Sequence, residues 1–325
     1  PVEVPAWGIS MACGSGMKAV MTAAANIASG TGDLYLAGGT ESMSLAPYLL
    51  PGARQGLRMG NKEIVDHMVY DALTDAFENI HMGITAENIA KRFGITREEQ
   101  DAFAIASQEK AIRAVDEGAF RAEITPITIK SRKEEIVVDT DEYPNRKTSL
   151  EKLAALKPAF LPGGTVTAGN ASGINDGAAF LLLASERAVK EFNLSPLCEL
   201  IAWGQGGVEP SVMGLGPVPA VRAALKMSGL SLSDMQRIEL NEAFAAQSLG
   251  VLKLLSDEHG VDRETLLSRT NKNGGAIALG HPVGASGARI IVTLLAGLRA
   301  AGETTGLASL CIGGGMGSAV VLKYC

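Results

Sequence analysis

The chain lacks the residue arrangements that build metal centres and disulfide scaffolds. Its four cysteines, at 13, 198, 311 and 325, lie far apart and form no C-x-x-C pair. That excludes the usual zinc and dithiol spacings and argues against a stapled secreted fold. The four histidines, at 67, 81, 259 and 281, show no ligand spacing either, so no metal is expected. Long apolar runs are missing as well: residues 290–298 are closed by Arg299, short of a membrane span. Neither an initiating Met nor a signal or transit segment is present, and a soluble protein is expected, cytoplasmic before mitochondrial. There is no surplus of basic charge, and a net charge of −6 speaks against a broad nucleic-acid surface.

Hydrophobic residues make up 46% and charged residues 20% of the 325 positions, a composition that folds and is long enough for two cores. Glycine is abundant, at 38 residues, and clusters where strand-like runs give way to helix-like ones. The most concentrated stretch, 273–289, reads N-G-G-A-I-A-L-G-H-P-V-G-A-S-G-A-R. A strand over 276–279 is expected to turn at Gly280, present His281, and enter a helix through Pro282. By itself this stretch fits a buried structural histidine equally well.

Cys13 is placed similarly. A strand-like run over 6–11 leads to C-G-S-G-M, and residues 17–28 repeat apolar side chains at helical spacing through Met17, Val20, Met21, Ala24 and Ile27. A thiol at such a helix start is expected to have a lowered pKa, the alternative being a small buried side chain. Glu41, among glycines at the end of a strand over 34–38, is either catalytic or a carboxylate capping nearby N–H groups.

Helices are expected over 83–92, capped by Thr85, and over 97–117, where Thr96 and Glu99 form a capping box. A charged surface hairpin is expected over 130–141, and a short helix over 150–156, stopped by Pro158. Strands follow at 179–184, 237–240, 306–311 and 318–322, with helices over 218–227, from about 245 to 255 and over 288–300.

Residues 9–44 and 276–318 share one plan: strand, reactive residue, Ser-Gly, apolar helix, strand, glycine-rich turn. This predicts two similar α/β halves presenting Cys13 and His281 at equivalent corners. Only twelve residues precede Cys13, so the repeat also predicts an N-terminal half without its first strands, supplied by a separate segment or absent.

Taken together, the blocks C-G-S-G-M-K-A (13–19), A-G-G-T-E-S-M-S (37–44), H-M-G-I-T-A-E-N (81–88), T-A-G-N-A-S-G-I-N-D-G-A (167–178), N-E-A-F-A-A-Q (241–247), the 274–289 stretch and C-I-G-G-G-M-G (311–317) resemble the thiolase family, and within it the acetyl-CoA acetyltransferases. Ser10 departs from the pattern, which usually has Asn there.

The resemblance implies an αβαβα layered fold. Its N-terminal half would comprise 1–44 and 175–194, with an inserted loop domain over 45–174 and a C-terminal half over 195–325. It implies Cys13 as nucleophile, His281 as its base, Cys311 as the second acid-base group, and Asn241 holding a water. The backbone N–H groups of Cys13 and Gly313 would receive an oxyanion. Ser172, Ala168, His81 and Met82 match positions near the acyl-CoA. The implied reaction is reversible Claisen condensation of two acetyl-CoA, with no cofactor beyond the CoA thioesters and a homodimeric or homotetrameric assembly. A longer-chain 3-ketoacyl-CoA thiolase and a non-catalytic CoA- or partner-binding fragment are the alternatives.

Overall fold

The computed structural model describes residues 1–130 and 134–325. The run over 6–11 forms no strand; it leads into a single 3-10 turn, Ala12–Gly14, and then α1 (Ser15–Ala28). β1 (Leu34–Ser42) follows. The inserted stretch holds β2 (Tyr48–Leu49), β3 (Val65–Asp66), α2 (Met82–Phe93), α3 (Arg97–Asp116), β4 (Ile127–Lys130), β5 (Glu135–Val138) and α4 (Leu150–Ala154). β6 (Asp176–Ala184) and α5 (Glu186–Glu191) complete the first part. The second runs through β7 (Cys198–Gly207), α6 (Pro217–Ser228), β8 (Arg237–Leu240), α7 (Ala245–His259), α8 (Arg263–Arg269), α9 (Ala276–Leu279), α10 (Val283–Ala301), β9 (Thr305–Ile312) and β10 (Met316–Tyr324).

Local chemistry explains most of these boundaries. The Thr96–Glu99 capping box is present at the start of α3. The start of α2 differs from expectation. Its cap is His81, whose Nδ1 accepts the Gly83 N–H at 3.0 Å, while the Thr85 hydroxyl donates to the Met82 carbonyl inside the first turn. The stretch 276–279 is a short helix rather than a strand. Its buried Ala276, Ile277 and Ala278 are packed on all sides, so apolar content alone did not distinguish the two. Of the expected hairpin, residues 131–133 lie outside the described residues; the paired strands are β4 and β5, with Ile127 opposite Val138.

β1 and β6 pair antiparallel, Glu41 opposite Gly177. β7, β10, β9 and β8 form a mixed sheet in that order, with β8 and β9 parallel. α1 and α10 lie side by side between the two sheets. Met17, Val20, Met21, Ile290, Ile291 and Leu294 meet Ala37 on one side and Leu310, Ile312 and Val320 on the other. α6 and α7 cover the far face of the larger sheet through Val221, Leu225 and Leu252, against Ile238, Leu307 and Val321. Because β9 is buried on both faces, its burial does not alternate, and its sequence is mostly apolar with only Thr305 and Ser309 polar. The outer face of the β1–β6 sheet carries exposed Leu36, Phe180 and Leu182.

The predicted repeat is visible where α1 meets α10. A Cβ on Gly16 would lie 2.9 Å from the Ala288 nitrogen, and one on Gly287 would lie 2.5 Å from the Met17 nitrogen. The Ser-Gly pair of each half thus lets the other helix's backbone approach. α10 is also the one helix among the described residues long and apolar enough to cross a membrane, which corrects the reading that no run reaches that length. Its apolar character is accounted for by burial between two sheets.

Candidate active site

Cys13 occupies the turn immediately before α1. The preceding Ala12 has φ +43°, a left-handed conformation that costs a non-glycine residue energy. Ser15 holds it there, accepting the Met11 N–H at 2.8 Å and donating to the Ala12 carbonyl at 2.8 Å. The thiol's pKa is not lowered as the helix start suggested. Burial pushes it up to about 11, opposed by hydrogen bonds from the backbone N–H of Gly313 and of Cys13, with the Glu41 charge adding to the rise. Cys13 nevertheless keeps part of its surface accessible, which tempers the effect of burial. Two backbone N–H groups therefore converge on the sulfur from different halves, where an oxyanion would form beside it.

Cys311, at the end of β9, is buried, and its thiol is pushed above the ordinary range by burial and by the nearby Cys13. It belongs to a buried cluster with Met82, Ala86, Val166, Ala171, Met213, Ala243 and Phe244, with Phe160 packed against the cluster. Phe160 stacks on His81 at 4.7 Å and meets Phe244 edge-on at 6.1 Å. His81 and Met82 therefore stand at a small aromatic enclosure around the Cys311 strand end.

His281 is buried, and its Nδ1 lies 2.6 Å from Ser286 Oγ. That hydroxyl donates to the Pro282 carbonyl at 2.9 Å, so it accepts from Nδ1–H and leaves Nε2 as the unprotonated nitrogen. Nε2 has no partner among the described residues. Burial, reinforced by the Arg289 charge, lowers the imidazole pKa to about 4, which keeps the ring neutral. Pro282 is the N-cap of α10 rather than its first residue, and Gly280 has φ +92°.

Asn241 follows β8; its N–H donates to the Ser309 carbonyl, and both side-chain polar atoms are fully buried without a partner among the described residues. An amide so placed is expected to hold a water or a substrate atom. Ser172 lies beside this segment, its N–H donating to the Ala243 carbonyl at 3.0 Å. Ala168 is placed apart from these groups. It lines a cleft of about 900 Å³ with Arg146, Lys147, Lys152, Leu156 and Ile277. Arg146 there is bound to Asp116 through two hydrogen bonds. No cluster of three or more His, Cys, Asp or Glu suited to a metal occurs among the described residues.

Three contributors escaped the sequence reading. Ser286 was noted only as part of the Ser-Gly repeat, although its five-residue spacing from His281 across a helix start was available. Phe160 had no motif around it. Glu242, next to Asn241, accepts from Ser107 Oγ at 2.7 Å, from Asn271 Nδ2 at 2.8 Å and from the Ile277 N–H at 3.2 Å, tying α3 to the loop that leads to His281.

Two α/β halves that meet on paired Ser-Gly helix starts, one carrying a thiol and the other an imidazole just ahead of its helix, define a layered two-half α/β protein. The chain belongs to the thiolase family: the model of the thiolase N-terminal domain matches residues 1–187 and that of the C-terminal domain residues 194–324. An acetyl-CoA acetyltransferase of Pseudomonas aeruginosa is 54% identical over 323 residues, 99% of this chain and 80% of that protein. The solved structure of the Syntrophomonas wolfei acetyl-CoA acetyltransferase superimposes with a TM-score of 0.96 at 48% identity, covering all of this chain and 81% of the other. Human mitochondrial 3-ketoacyl-CoA thiolase gives 0.93 at 44% identity, covering 100% and 80%.

Proposed function

We propose that the chain is an acyltransferase that joins two acetyl-CoA molecules to acetoacetyl-CoA and CoA, reversibly, through an acyl-cysteine at Cys13. The observation that carries this reading is the thiol of Cys13 under two backbone N–H donors and beside the second buried thiol of Cys311, and it is supported by a neutral imidazole with a free Nε2 and a buried amide without a partner among the described residues.

In the first half-reaction His281 Nε2 takes the Cys13 proton as sulfur attacks the thioester carbonyl. The N–H groups of Cys13 and Gly313 receive the resulting oxyanion, each such donor contributing a factor on the order of 10²–10³ in rate. Cys311, protonated at rest because of its burial, gives its proton to the departing CoA thiolate. The Cys311 thiolate then removes a proton from the methyl of a second acetyl-CoA. The enolate oxygen is met by the proton on His281 and by a water on Asn241. Attack on the acyl group releases Cys13, which recovers its proton from His281, and every group returns to its starting state.

Crowding by Met82, Phe160 and Phe244 around the Cys311 strand end supports a short acyl group. Ser172, His81 and, farther out, Ala168 are the residues proposed along the CoA chain. The division into 1–44 with 175–194, 45–174 and 195–325 is proposed as its domain organisation, and a homodimer or homotetramer in solution as its assembly. A cytoplasmic location without a cofactor belongs to the same reading. The similarity to human 3-ketoacyl-CoA thiolase supports a second reading, thiolysis of longer 3-ketoacyl-CoA. A series of 3-ketoacyl-CoA substrates with CoA separates the two: kcat/KM highest for acetoacetyl-CoA supports the first, and a maximum at medium or long chains replaces it with the second.

A further inference from the structure

The turn that presents His281 rests against the paired ends of β1 and β6, which belong to the other half of the chain. The His281 N–H donates to Asn175 Oδ1 at 3.1 Å, just before β6. Three residues on, the Gly284 N–H donates to Glu41 Oε2 at 2.9 Å on β1. Between these contacts the surfaces meet without room to spare: a Cβ on Gly280 would fall 2.4 Å from Asn175 Cγ, and one on Gly39 would fall 2.1 Å from the Gly284 carbonyl oxygen. Gly284 is in the first turn of α10, whose N–H groups have no partner within the helix, so a carboxylate there is favoured by hydrogen bonding and by the helix dipole.

Cys13 belongs to the same half as Glu41 and Asn175, in the turn that opens α1, the helix packed against β1. His281 can therefore meet Cys13 in a fixed geometry only if its turn is fixed to that half. We infer that Glu41 and Asn175 are positioning residues that lock the His281 turn of one half onto the Cys13 corner of the other. Neither is a catalytic residue, since each acts on backbone N–H groups. Glu41 has a second effect: its negative charge adds to the elevation of the Cys13 thiol pKa, so the sulfur stays protonated until the imidazole accepts its proton. The inference rests on the acyl-cysteine reading, and its test separates the two.

The test compares Glu41→Ala, Glu41→Gln, Asn175→Ala and Asn175→Asp in the full chain. Cys13 acetylation by acetyl-CoA and the pH dependence of Cys13 alkylation by iodoacetamide are measured for each. Removing either acceptor is expected to slow acetylation by about tenfold to a hundredfold at saturating acetyl-CoA, with the half-saturating concentration nearly unchanged, since small misplacements are costly at a reacting pair. Gln and Asp keep an oxygen facing the same N–H and are expected to restore most of the rate. Glu41→Gln should in addition move the alkylation midpoint to lower pH. Parental acetylation rates in both alanine variants, or a glutamine variant as slow as alanine at a parental melting temperature, would overturn the inference. If the alanine variants do not fold, Glu41→Gln and Asn175→Asp decide through acetylation: a loss of more than about tenfold in both at a parental melting temperature contradicts it. Failure of the parent chain itself to be acetylated would instead reject the acyl-cysteine reading, and the alkylation profile would still test the Glu41–Cys13 coupling.

Discussion

His281 Nδ1 and Ser286 Oγ stand 2.6 Å apart, with the serine proton committed to the Pro282 carbonyl. The hydroxyl therefore selects the imidazole tautomer. Ser286→Ala is expected to lower kcat for acyl transfer about tenfold, the equivalent of one hydrogen bond of roughly 1 to 1.5 kcal/mol, with little change in KM. A variant with parental kcat would remove Ser286 from the account.

The two thiols are assigned different tasks. Cys13→Ala is expected to abolish acyl transfer altogether. Cys311→Ala is expected to retain acetylation of Cys13, slowed by loss of the proton given to the departing CoA thiolate, while losing exchange of the acetyl-CoA methyl protons with deuterated solvent. Mass spectrometry and proton NMR on the same samples check this, and exchange at the parental rate in the Cys311 variant would reverse the assignment.

Chain length is expected to follow the enclosure formed by Met82, Phe160 and Phe244. Met82→Ala removes side-chain volume beside Gly313 and Cys311, and should raise kcat/KM for six- to eight-carbon substrates relative to acetoacetyl-CoA by about tenfold, the worth of one or two methylenes of pocket space. It is also expected to cost about 2 to 5 kcal/mol of stability. An unchanged chain-length ratio would exclude this wall of the pocket.

Glu239 is fully buried on β8 with no hydrogen-bond partner for either carboxylate oxygen among the described residues. Burial raises its pKa from the ordinary 4.5 to about 8, although the charges of Arg289 and Arg237 oppose the rise. A group raised in the folded state contributes stability below its unfolded pKa and loses it as pH climbs through the folded one. The melting temperature should therefore fall as pH rises from about 4.5 to about 8, and Glu239→Gln should flatten that slope. His281 works in the other direction: with its pKa lowered from 6.5 to about 4, stability is lost as pH falls through that interval. Parallel pH profiles for the parent and Glu239→Gln would contradict the first half of this expectation.

What the sequence made legible was the framework of reactive corners. The corners at Cys13 and His281 could be read because glycine-rich turns and Ser-Gly helix starts leave short-range signals, whereas Cys311 was marked only by its family-like block, and the structure pairs Gly16 with Ala288 and Gly287 with Met17 as the repeat implied. Errors came where tertiary packing overrode a local pattern. The run 276–279 is apolar because it is buried, and burial alone does not separate a strand from a short helix. The thiol of Cys13 lies at a helix start, yet desolvation outweighs the nearby N–H groups. Ser286, Phe160 and Glu242 act across distances in sequence or through a single hydrogen bond, and no periodicity marks such residues.

The measurement that bears most directly on the central claim is incubation of the purified chain with acetyl-CoA, followed by peptide mass spectrometry. The account predicts one acetyl group on Cys13, lost again when free CoA is added. Acetylation confined to another cysteine, or none on Cys13 under conditions where the chain is folded, would contradict it.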